Sequence, residues 1–159
     1  MILSDGDVVF QPRKIAQTGL WQAIDGHVPI YSQKEQMLDD VEQRYPARHY
    51  VMVDDKLQIL NEMKQVWGGR LTTVGPRQGH CAKDSTILAS FPPADVTIER
   101  IDDLGDRDLR THLTSAPFET EPARMPQRLI IVGGPEGAPQ RLLDGWDRSR
   151  PGIVCINSR

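Results

Sequence analysis

Cysteine is scarce: the 159 residues contain two, Cys81 and Cys155, far apart and in unlike contexts. That excludes a disulfide-stapled scaffold and offers no zinc-ligand spacing. The four histidines, His27, His49, His80 and His112, show no metal-ligand spacing either. No apolar run approaches the ~20 residues of a membrane helix, and Met1 leads directly into Ile2-Leu3 without a basic leader. The expectation is a reducing, cytoplasmic setting and no membrane partner. No charge sign dominates, since 19 basic and 22 acidic residues give a net charge of −3. A nucleic-acid surface is therefore not expected. Internal repeats and strict low-complexity tracts are also lacking. What remains is a composition that supports a soluble core in a chain sized for one domain.

The composition changes along the chain. Up to Leu113 there are 13 Lys+Arg and 17 Asp+Glu; from Thr114 onward there are 6 Arg, no Lys and 5 Asp+Glu. Six of the 12 prolines fall in that last part, and Ser115-Ala116-Pro117-Phe118-Glu119-Thr120-Glu121-Pro122 reads as a linker. Residues 1–113 are therefore read as one unit and 114–159 as a Pro/Arg-rich tail of different origin or role, with one or two short strands.

Short apolar runs in the first unit predict strands at Met1–Leu3, Val28–Tyr31, His49–Val53, Leu71–Val74 and Asp95–Ile98. Pro29 demotes the second to a short or edge strand. Helical spacing covers Lys34–Arg44 and Leu57–Trp67. In the latter, Leu57, Leu60, Met63, Lys64 and Trp67 form a stripe ended by Gly68-Gly69. Strands alternating with helices predict an α/β fold with a Rossmann-like parallel sheet flanked by helices. In the tail, Leu129–Val132 could add to the sheet, and Gly152–Asn157 is a second strand candidate. Gly133-Gly134-Pro135-Glu136-Gly137 lacks the Gly-Lys-Ser/Thr ending of a phosphate loop.

Ligands of open α/β sheets bind beyond the carboxyl ends of the strands. Ser4 closes the first predicted strand, Lys34 follows the second, and Asp54-Asp55 close the third. A hydroxyl and an ammonium suit phosphate oxygens, and a carboxylate pair suits a hard divalent cation. Each has a plainer reading: Ser4 as a turn residue, Lys34 as solvated surface, the Asp pair as a helix cap. Arg77 follows a strand and could face a phosphate, or lie in a solvated loop.

These residues, Ile2-Leu3-Ser4-Asp5-Gly6-Asp7, Lys34 and Tyr50-Val51-Met52-Val53-Asp54-Asp55-Lys56, resemble the haloacid dehalogenase superfamily of phosphatases and related hydrolases. Arg70–Val74 and Pro93–Ile98 resemble its closing strands, so the resemblance covers about residues 1–113. It implies that Ser4 binds phosphate, that Lys34 is both catalytic and phosphate-binding, and that Asp54 and Asp55 bind Mg²⁺. The implied substrate is a small phosphorylated molecule.

The family's first motif, a strand ending in Asp-x-Asp whose first Asp is the nucleophile, has one candidate here, Asp5-Gly6-Asp7. Two features oppose it. Ser4 stands at the family's hydroxyl position, and the 46 residues between Asp7 and Asp54 hold one further strand where the family has two. Ser4 is therefore read as the second motif, and the chain as an incomplete core domain beginning after the nucleophile strand. That strand is central in the family, so its absence leaves open sheet edges beside Met1–Leu3 and His49–Val53. The expectation is a truncated hydrolase with little activity. The alternatives are a non-catalytic α/β binding or scaffold module and a fragment without independent function.

Overall fold

The computed structural model describes residues 3–5, 10–17, 22, 29–79, 81–104 and 129–132. Strand β1 (Ser4–Asp5) is followed by helix α1 (Phe10–Gln17) and strand β2 (Ile30–Tyr31). A single 3-10 turn, Lys34–Gln36, leads to α2 (Leu38–Arg44) and then β3 (Tyr50–Val53). Next come α3 (Leu57–Trp67), β4 (Leu71–Pro76), α4 (Ser85–Ser90) and β5 (Val96–Ile98). The last described strand is β6 (Leu129–Val132).

Two parallel sheets result. One pairs β1 with β2, setting Ser4 against Ile30 and Asp5 against Tyr31. The other has the order β5-β4-β3-β6, every pair parallel. The architecture is therefore the expected α/β class. Leu3 belongs to the same buried cluster as Leu38, Val41 and the β3 residues, so the two sheets share one core.

All four residues of β3 are buried, as in a strand covered on both faces. Its β-branched and aromatic composition suits that position. The predicted stripe on α3 is observed, with Leu57, Leu60, Met63 and Trp67 buried and Ile59 added to them. This helix packs on β4. It stops at Gly68, whose φ of +54° lies in the left-handed region that side chains with a Cβ rarely adopt. The Tyr50 ring stacks on Trp67 with centroids 4.1 Å apart, and the Arg70 guanidinium lies 5.7 Å from the Tyr50 ring centre. The Tyr50 hydroxyl donates to the Tyr45 carbonyl and accepts from the Ala47 amide. The amino end of β3 is thus pinned.

Some boundaries differ from expectation. The first strand is Ser4–Asp5 and not Met1–Leu3; Leu3 precedes it, and Met1 and Ile2 lie outside the described residues. The segment Lys34–Arg44 divides at Met37, whose φ and ψ of −108° and 22° interrupt the helix. Helix α1 went unpredicted, because Pro12 and its polar neighbours mask a helix whose first turn tolerates proline. Residues 152–157 lie outside the described residues, as do His80, His112 and the Gly133–Gly137 loop.

Asp95 clamps three elements. One of its oxygens, Oδ2, accepts from Lys64 Nζ at 2.8 Å, from the Thr73 amide at 2.8 Å and from Thr73 Oγ1 at 3.0 Å. Its own amide donates to Thr73 Oγ1 at 2.9 Å. Burial works to raise this carboxyl, but the hydrogen bonds from Lys64 and Thr73 outweigh it and hold it below the usual carboxylate range. Asp95→Ala is expected to destabilise the chain by about 1–3 kcal/mol in urea denaturation at pH 7, because it strands the Thr73 amide. Since the folded-state value is depressed, the contribution is full above about pH 4. The difference between the native chain and the variant should shrink as pH falls through the folded value.

Candidate active site

Parallel pairing puts the carboxyl ends of β3, β4 and β5 on one rim. Asp54 and Asp55 leave β3 there. The Asp54 amide donates to the Val74 carbonyl at 3.1 Å, extending the ladder by one residue. Its side chain is 2% exposed, and Oδ1 accepts the Lys56 amide at 2.9 Å. That bond closes a tight turn between β3 and α3 and is not a helix cap, since Lys56 holds the cap position of α3 and no side chain caps that end.

Asp55 is half-buried, and its carboxyl is pushed up to about 6. Burial is the largest cause, followed by the charge of Asp54 and a hydrogen bond between the two carboxyls; the Lys56 charge opposes them. Two acidic groups are thus pressed together where repulsion disfavours full ionisation. A divalent cation would relieve that repulsion through oxygen ligands, so the donor set fits one. Among the described residues no group of three or more His, Cys, Asp or Glu side chains is arranged to hold a metal. Most ligands of a hard cation here would therefore be water or substrate oxygens.

The other predicted site residues stand as follows. Ser4 lies within β1, beside Ile30 of β2, and does not close its strand. Lys34 opens the 3-10 turn after β2, and that turn packs against α3, the helix that Asp54 and Asp55 precede. The side chains of Ser4, Asp5 and Lys34 lie outside the described part, as does all of Asp7. Asp54 and Asp55 are therefore brought together, and the backbone of the Lys34 turn is brought to their helix. Arg77 follows β4 on the same rim and is exposed. It pairs with Glu99 at 3.5 Å, and its amide donates to the Ile98 carbonyl, so it leans toward β5. Lys56, to which no role was assigned from the sequence, is the cation acting on Asp55; its adjacency to the pair was the available signal.

This is a parallel α/β domain of the open-sheet type, with an acidic pair, one member buried and one half-buried, at the carboxyl end of an inner strand. No family model matches the chain, and no curated protein does. Among solved structures it is similar to a protein from Burkholderia xenovorans LB400, named by inference a haloacid dehalogenase-like hydrolase. The two are 67% identical, with a TM-score of 0.66 over 68% of this chain and 50% of that one. The chain belongs to the haloacid dehalogenase superfamily. It spans about half the length of that relative. No helix among the described residues is long and apolar enough to cross a membrane.

The raised Asp55 carboxyl has a consequence for stability. A group whose folded-state value lies above its unfolded one binds more protons when folded, so its stabilising effect is lost as pH rises toward and through 6. With chelator present, Asp55→Asn should therefore stabilise the chain at pH 7.5, by on the order of 1 kcal/mol after allowance for partial solvent screening. The gain should vanish near pH 4. Thermal or urea unfolding at both pH values checks this.

Proposed function

We propose that this chain carries the cation- and phosphate-holding part of a phosphatase-type, Mg²⁺-dependent hydrolase site for a small phosphorylated substrate, with low turnover in this chain. The observation that carries the reading is the Asp54–Asp55 pair at the carboxyl end of β3. Asp54 and Asp55 would hold the cation, and the Ser4 hydroxyl and Lys34 ammonium would hold phosphate oxygens. Lys34 would also offset charge developing on the transferred group, which is the catalytic role assigned to it. Bound Mg²⁺ would supply electrostatic stabilisation of the phosphoryl oxygens. We place this chemistry in a reducing, cytoplasmic setting without a nucleic-acid or membrane partner.

Turnover is expected to be low because hydrolysis through an enzyme aspartate needs a nucleophile in line with the leaving oxygen and an acid to protonate it. Ser4 and Lys34 are read as positioning phosphate, and neither is read as the nucleophile. The strand beside β3 is β6, and the sequence after Val132 continues Gly133-Gly134-Pro135, without a nucleophilic side chain. That observation also supports the second reading, a non-catalytic module that retains cation and phosphate contacts.

Hydrolysis of an aryl phosphate with Mg²⁺ tests the proposal. The expected rate is a residual one, on the order of 10³-fold over the uncatalysed reaction, as when positioning survives loss of a nucleophile. Asp55→Asn should remove it and Asp5→Asn should leave it. Fast turnover abolished by both substitutions would make Asp5 the nucleophile and overturn the incomplete-site reading. Phosphate and Mg²⁺ binding with no turnover at all would favour the non-catalytic module.

A further inference from the structure

Strand β6 is joined to the rest of the described chain through one neighbour. Its four residues pair in register with β3, from Tyr50 with Leu129 to Val53 with Val132. Among the described residues it makes extensive contact with no other element. In sequence it follows the turn Ile101–Leu104 by 24 residues, 105–128, three of them proline.

The turn follows β5, at the edge of the sheet opposite β6. Because β6 is parallel to the others, the connection must return the length of a strand and cross about 14 Å of sheet. Twenty-four residues can span at most about 80 Å when fully extended. That is enough to close within one molecule and equally enough to reach a neighbouring one.

We propose that β6 is an exchangeable strand, and that the β3 edge also accepts Leu129–Val132 from a second copy of this chain, forming a strand-swapped dimer. The occupant is specified by the register. A second copy offers the same Leu-Ile-Ile-Val segment to the same Tyr50–Val53 edge, so each ladder hydrogen bond made within one chain is made again between two. Only the entropy of connection differs, and closure within one molecule is favoured when protein is dilute. The single chain therefore dominates in dilute solution and the dimer grows toward millimolar protein. Leu129–Val132 carries no charge and no proline, the usual guards against strand pairing between molecules. Two reciprocal exchanges close a two-fold dimer and leave no open series of molecules. In it, each Asp54–Asp55 pair follows a strand whose neighbour belongs to the other copy. The proposal rests on the sheet topology and is independent of the chemistry assigned to the acidic pair.

The test uses the register partners Met52 and Ile131. With Cys81 and Cys155 replaced by serine, one full-length chain carries Met52→Cys and another Ile131→Cys. The two are mixed and mildly oxidised at several concentrations, and the unmodified chain is followed by sedimentation velocity over the same range. The expected result is a disulfide-linked pair of unlike chains. Its fraction should rise at least about tenfold between 10 μM and 1 mM, in step with dimer in the unmodified protein. Should these cysteine variants not fold, the adjacent register pair Val51 and Ile130 takes their place in the same crosslinking test, and a monomer of the unmodified chain at 1 mM overturns the proposal. A dimer of folded variants that forms without the disulfide between the two introduced cysteines would equally overturn the proposal, because another surface would then hold it.

Discussion

A strand buried on both faces must have hydrogen-bonding neighbours on both edges, since no water reaches its amides and carbonyls. In this chain that strand is Tyr50–Val53. One edge is satisfied by β4, delivered by the α3 crossover, and the other by β6, delivered from beyond a 24-residue connection. The side-chain packing follows from the same placement. Tyr50 anchors the amino end through Trp67 and Arg70, while Val51, Met52 and Val53 lie in the common core. The expected gap beside this strand is filled within the chain itself, by a segment from past the change in composition.

The acidic pair follows from where that strand stops. Val53 is still fully buried, so the next residue leaves the sheet from a dry position, and Asp54 keeps 2% of its surface in contact with solvent. Its oxygen is drawn into the turn that starts α3, leaving Asp55 on the rim beside a second carboxyl. Holding two carboxyls together opposes stability at neutral pH, and a cation or a cationic substrate group would offset that cost. Local strain of this kind is characteristic of functional sites, where stability is exchanged for chemistry.

Much of the fold was legible from local pattern. Tyr50-Val51-Met52-Val53 ends abruptly in two aspartates, and Leu57–Trp67 shows one apolar stripe closed by glycine; both elements lie where the sequence puts them. The pairing was less legible. Nothing in Leu-Ile-Ile-Val says which edge it will join, because that depends on a neighbour about 80 residues away in sequence. The Asp95 clamp joins residues 22 and 31 positions apart and carries no local signature. Of the site, Asp54 and Asp55 could be read from the strand that ends in them. The raised Asp55 carboxyl could not, because it arises from burial, which only the packed structure sets.

The central proposal is that Asp54 and Asp55 hold a cation without, among the described residues, a third acidic, histidine or cysteine ligand. Titration calorimetry with MgCl₂ at pH 7.5 tests it most directly, comparing the native chain with Asp55→Asn. The account predicts weak binding, with a Kd of about a millimolar or above, because Mg²⁺ demands near-octahedral oxygen geometry and would have two protein carboxylates here. It predicts that Asp55→Asn removes that binding. Tight binding left unchanged by Asp55→Asn would contradict it.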